Sequence, residues 1–136
     1  MGVSRFNSEG YYDPTPYEAV SNIEKERVKW RPVVYICSPY AGDPEANTEK
    51  ARRYCRFAVE KDAVPLAPHL FLPQFLKEET ERDLALFMDL VYLGKCAEMW
   101  VFGEKITDGM RVEIDRAKKK NMRIRYFSDS CAEAET

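Results

Sequence analysis

With 136 residues, 45% of them apolar, the chain has the size and the hydrophobic content of one domain with a two-sided core. Its 21 basic and 23 acidic side chains nearly cancel, leaving a formal charge of −2, which excludes the basic excess of a nucleic-acid-binding face. No opening apolar stretch resembles a signal peptide, and no uncharged run approaches the roughly 20 residues of a membrane span, so the expectation is a cytoplasmic protein with no membrane partner.

The first 31 residues are expected to form a polar arm and a short helix. Thr15, Pro16 and Glu18 read as a helix start: a capping hydroxyl, a proline at the first helical position and the acidic residue of a capping box. Pro32 then blocks helix at its predecessor and opens an extended segment. Val33 to Cys37 is a continuous apolar, β-branched and aromatic run, the pattern of a strand covered on both faces. Ser38 to Pro44 is a loop. Glu45 to Lys61 reads as a helix whose inner face is Ala51, Tyr54, Cys55, Ala58 and Val59.

Ala63 to Ala67 is a short second strand, and Pro73 breaks Leu70 to Leu76 into a loop or turn. Glu79 to Gly94 is a second helix of this domain, so apolar from Leu84 onward that burial around most of its circumference is expected. Met99 to Phe102 is a third strand stopped by Gly103. Asp108 caps a third helix running to Asn121, and Met122 to Phe127 is a fourth strand. The basic run from Arg116 to Lys120, with Arg123 and Arg125, reads as the wet face of that last helix and its exit. After Ser128 the tail, 129–136, is acidic and expected to fray.

Strands separated by helices of this length form βαβ units. The expected fold is therefore a small doubly wound parallel sheet, a flavodoxin- or Rossmann-like α/β three-layer sandwich of about four strands in the order 2-1-3-4, spanning residues 32–128. Such sheets bind ligands beyond the carboxyl ends of their strands. That rim holds the candidate binding residues Ser38, Pro39, Tyr40, Gly42 and Asp43 after the first strand, His69 after the second, and Asp108, Gly109 and Met110 after the third.

Neither a G-x-G-x-x-G nor a phosphate-loop motif is present, and no cofactor is expected. Cys37, Cys55, Cys96 and Cys131 lie far apart, and His69 is the sole histidine, so no zinc-type metal site is expected. Chemistry would fall to carboxylates and tyrosine. Asp89 is the one charged residue between Leu84 and Gly94; burial would raise its pKa, as a general acid requires. Glu113 stands four residues past Gly109 and reads either as a functional carboxylate or as a dipole-favoured partner of Arg116.

Three segments give these residues a family likeness: Tyr35-Ile36-Cys37-Ser38-Pro39-Tyr40; Asp89-Leu90 ahead of Met99-Trp100-Val101-Phe102; and Asp108-Gly109-Met110-Arg111-Val112-Glu113-Ile114. Together they resemble the nucleoside 2-deoxyribosyltransferase superfamily over Pro32 to Phe127, most of all its small uncharacterised bacterial and phage members. The family's enzymes usually follow the glutamate with an apolar residue and glycine, whereas Asp115 follows Ile114 here. The resemblance implies that Glu113 is a nucleophile toward a sugar's anomeric carbon, that Asp89 helps to protonate the departing base, and that Tyr35 orients Glu113. It also implies a nucleoside or nucleotide ligand and a homo-oligomer. Two alternatives stay open: a pocket that binds a nucleotide-derived ligand without cleaving it, and an interaction module whose pocket is vestigial.

Overall fold

The structure, a computed structural model, describes residues 15–26 and 30–134, the side chains of 25 and 26 excepted. The chain divides into two units, Met1–Arg31 and Pro32–Thr136. In the first, helix α1 (Pro16–Glu26) starts as its sequence expects, the Glu18 N–H donating to Thr15 Oγ1 at 3.2 Å. The arm expected at residues 1–14 lies outside the described residues.

The second unit is built on strand β1 (Val33–Cys37), helix α2 (Pro44–Glu60), strand β2 (Val64–Leu66), helix α3 (Glu78–Leu93), strand β3 (Glu98–Phe102), helix α4 (Asp108–Lys119) and strand β4 (Arg123–Phe127). The sheet is parallel throughout, in the order β2-β1-β3-β4. Because strand side chains alternate, each central strand feeds two cores. Val34, Ile36, Trp100 and Phe102 face α2, where they meet Tyr54 and Ala58. Tyr35, Cys37, Met99 and Val101 face α3 and α4, where they meet Leu93, Met110, Ile114 and Ala117. Continuous apolar runs in β1 and β3 are thus the signature of burial on both faces. Strand order reverses between β1 and β3, which opens the crevice used below.

Four local expectations are corrected. Thr107, not Asp108, caps α4: its Oγ1 accepts from the Met110 N–H at 3.2 Å, and Asp108 is the first helical residue. Val59 is exposed, since the α2 stripe that reaches the core is Ala51, Tyr54 and Ala58. Helix α3 is not buried around its circumference: Leu84, Phe87 and Val91 face outward, Phe87 at 63% exposure. An apolar run has no polar side to orient it, so sequence alone cannot tell its inner face from its outer one. Nor is the tail frayed as far as residue 134. Arg125 grips Glu133 through two hydrogen bonds of 2.7 Å, and the Ala134 N–H donates to the Tyr126 carbonyl at 2.9 Å. Between β2 and α3, Pro68–Leu70 and Leu72–Gln74 form two 3-10 turns, each with its proline early. Among the described residues no helix is long and apolar enough to cross a membrane.

Candidate functional site

Tyr35 and Cys37 are alternate residues of β1 and so point to the same side of the sheet, beneath α4. On α4, Met110, Glu113, Ile114 and Ala117 form one buried stripe, spaced as a helix face in contact with a sheet. Glu113 is therefore turned into the molecule, only 2% exposed, and away from Arg116. The Tyr35 hydroxyl donates to Glu113 Oε2, and the Cys37 thiol donates to Oε1 with a sulfur–oxygen distance of 3.6 Å. Each oxygen of the carboxylate thus has a donor from the strand below it.

Asp89 comes in from α3, one turn before the fully buried Leu93. Its Oδ2 lies 3.8 Å from His69 Nε2, while its Oδ1 is buried without a hydrogen-bond partner. Among the described ion pairs no Arg or Lys reaches it. Burial pushes Asp89 up to about 7, with the Glu78 charge adding to the effect. Burial also pushes Glu113 up to about 8, helped by the Asp89 charge and opposed by its two donors. Two carboxyls so placed resist ionising together and titrate as a pair. The hydrogen bonding works against burial at Glu113, with two donors aimed at its carboxylate and none at Asp89 Oδ1, so the strand below favours the ionised form at Glu113. Burial lowers His69 to about 4, so the imidazole is neutral at pH 7.

An open cavity of about 880 Å³, counted out into its solvent mouth, lies over this pair. It is lined by Ser38, Tyr40, His69, Asp89, Gly109, Met110 and Glu113 from the sequence-derived set. The His69 and Tyr40 rings stand 5.2 Å apart at its edge. The rest of the set falls outside. Tyr35 lies beneath Glu113; Pro39 borders a separate shallow depression. Gly42 turns the β1–α2 loop at φ +99°, and Asp43 caps α2 by accepting from the Ala46 N–H at 3.2 Å. Asp108 opens α4 behind the lining.

Sequence reasoning missed Cys37, which as a thiol inside an apolar strand reads as core. It also missed Glu78 and Arg82 on the cavity wall. Arg82 had a signal, since it precedes Asp89 by seven residues and shares its face of α3; Glu78 did not, because helical geometry breaks at Glu81 (φ −123°, ψ 23°) between it and Asp89. His69, Asp89 and Glu113 present ligand atoms within 4.8 Å of one another. Opposed ligands of an ion at about 2.1 Å are roughly 4.2 Å apart, so a cation here would draw the three groups inward.

This architecture has a solved counterpart. A 2-deoxyribosyltransferase from the psychrotolerant bacterium Bacillus psychrosaccharolyticus superimposes with a TM-score of 0.53 at 19% identity, over 71% of this chain and 72% of that one. The protein has the fold of that enzyme. In sequence, residues 32–127 match the model of a domain of unknown function, DUF7768, and the chain belongs to that family. No curated protein matches it in sequence.

Proposed function

We propose that the protein breaks or transfers the N-glycosidic bond of a (deoxy)nucleoside or its 5′-phosphate, with Glu113 as nucleophile, Asp89 as general acid and Tyr35 as the residue that orients Glu113. The observation that carries this reading is the approach of two buried carboxyls across one cavity, only one of them furnished with donors. Their oxygens lie within 4.8 Å. Glycosidases that work through a covalent intermediate hold their carboxyls about 5–5.5 Å apart, whereas those that admit a water between them need roughly 6.5–9.5 Å. The spacing favours the covalent route.

In the first step a Glu113 oxygen bonds to the anomeric carbon as the carbon–nitrogen bond breaks. The electron pair of that bond leaves with the base, which takes the Asp89 proton. In the second, water or another base attacks the same carbon, the ester bond breaks, and its electrons return to Glu113. The ionised Asp89 accepts the proton released by the incoming group. His69 is neutral and beside Asp89 Oδ2, so it can donate a hydrogen bond without pulling Asp89 into a permanent salt bridge. Ser38, Tyr40, Gly109 and Met110 would contact the sugar and its substituents.

The fold of the solved 2-deoxyribosyltransferase supports a nucleoside as substrate, and the outward Leu84, Phe87 and Val91 of α3 support self-association. Incubation with a panel of nucleosides and their 5′-phosphates should release free base. In Glu113→Gln that release should fall at least about a thousandfold while folding and ligand binding persist, since no other group replaces the covalent step. Wild-type turnover in that variant refutes the role of Glu113. A panel that binds without yielding base favours the non-catalytic pocket.

A further inference from the structure

We propose that Cys37 is a positioning residue of this site: its thiol is a second, deliberately weak donor that fixes the Glu113 carboxylate from the sheet side and transfers its hydrogen bond to the Met110 carbonyl when that carboxylate is neutralised. The proposal rests on the reading of Glu113 given above. Cys37 is fully buried, and its packing neighbours on this face are Tyr35, Met99, Val101 and Met110. A methyl-bearing residue would fill such a place with no polar atom to satisfy. Among the described hydrogen bonds, Cys37 is the cysteine with an ionisable acceptor, Glu113 Oε1 at 3.6 Å; Cys96, by contrast, donates to the Tyr92 carbonyl of α3.

A second acceptor is within reach. The Met110 carbonyl lies 4.0 Å from Cys37 Sγ, on the same helix one turn before Glu113. An S–H needs only to rotate about its carbon–sulfur bond to change partner. An ionised carboxylate is the stronger acceptor. Once Glu113 is esterified or protonated, Oε1 loses that advantage and the backbone carbonyl competes. The weakness of the thiol as a donor has a use here. The Tyr35 hydroxyl already stabilises the charge on Oε2, and a second strong donor would lower the basicity that a nucleophile needs. A thiol sets the carboxylate's rotation while withdrawing little of its charge. The groups facing Glu113 are Tyr35 and Cys37 from β1 and Asp89 from α3, with His69 behind Asp89.

Infrared spectra of the full-length wild-type protein test the contact directly. As Glu113 ionises with rising pH, one of the four S–H stretching bands should move to lower frequency, and that band should be missing from Cys37→Ala. Four bands that stay still while Glu113 titrates overturn the proposal. In Cys37→Ala, carbon-13 NMR of labelled glutamate should find the Glu113 titration shifted upward by up to about one pH unit, because a donor to the charged form has been removed. An unchanged titration also overturns it. Should Cys37→Ala not fold, the wild-type infrared titration still decides. Base release, if present, should lose its acidic limb at correspondingly higher pH in the variant. Absence of base release from every nucleoside would sink the reaction assigned to Glu113, and the two titrations would still judge the thiol.

Discussion

At the scale of single residues, the site couples stability to pH in a direction that can be worked out. Asp89 and Glu113 have ordinary values of 3.8 and 4.5 and folded values of about 7 and 8. Between those limits the folded protein holds protons that the unfolded chain has released, so their contribution to stability is complete near pH 4 and is lost as pH rises toward 8. His69 opposes them over part of the range. Its value falls from 6.5 to about 4 on folding, so its contribution grows as pH rises through that interval. Two groups outweigh one below pH 6.5 and act unopposed above it. Urea midpoints should therefore fall between pH 6.5 and 8. Asp89→Asn, which keeps the shape but cannot ionise, should be more stable than wild type at pH 8 by roughly 2 kcal/mol and about equal to it near pH 3, below the ordinary value of 3.8. A variant less stable at both pH values would contradict the burial cost assigned to Asp89.

Helix α4 is the element on which the site depends most, since it carries Glu113 one turn from its start. Thr107 satisfies the Met110 N–H at that start, and Thr107→Ala should lower stability by about 1 kcal/mol in chemical denaturation. An unchanged midpoint would mean that the cap is dispensable. Much of this level was legible in the sequence. The unbroken apolar runs in Val33 to Cys37 and Met99 to Phe102 announce strands buried on both faces, and helical spacing places Met110, Glu113 and Ala117 together. Asp89 stood out because nothing charged surrounds it. What was not legible depends on contacts distant in the chain. The link from Cys37 to Glu113 spans 76 residues, and the choice of Thr107 over Asp108 as cap turns on one backbone step. From Leu84 onward the outward side of α3 had no polar residue to mark it.

For the whole molecule, the second unit contains both cores and every residue of the cavity. A chain starting at Pro32 should fold cooperatively, with a circular dichroism spectrum of mixed helix and strand. Noncooperative melting of that fragment would show that residues 1–31 complete the fold. Full-length protein is expected to run as a homo-oligomer in light scattering, and Phe87→Glu should shift it toward monomer if the α3 face is the contact. A wild-type monomer at micromolar concentration would refute the self-association.

The clasp between Arg125 and Glu133 has one more consequence, for solubility. A four-stranded open sheet ends in two strands with unpaired backbone groups, which invite pairing with other chains. At one end β2 is three residues long and carries Pro65, which has no N–H to offer. At the other, the tail folds back antiparallel on β4, bridging Phe127 to Glu133 and engaging the Tyr126 carbonyl. The segment from Ser128 to Ala134 thus serves as a selvedge for the sheet. Cutting the chain after Ser128 should leave the cavity intact but make the protein prone to heat-induced fibrillar aggregates that bind thioflavin. A truncated protein that stays as clear on heating as the full chain would show that β4 needs no such cover.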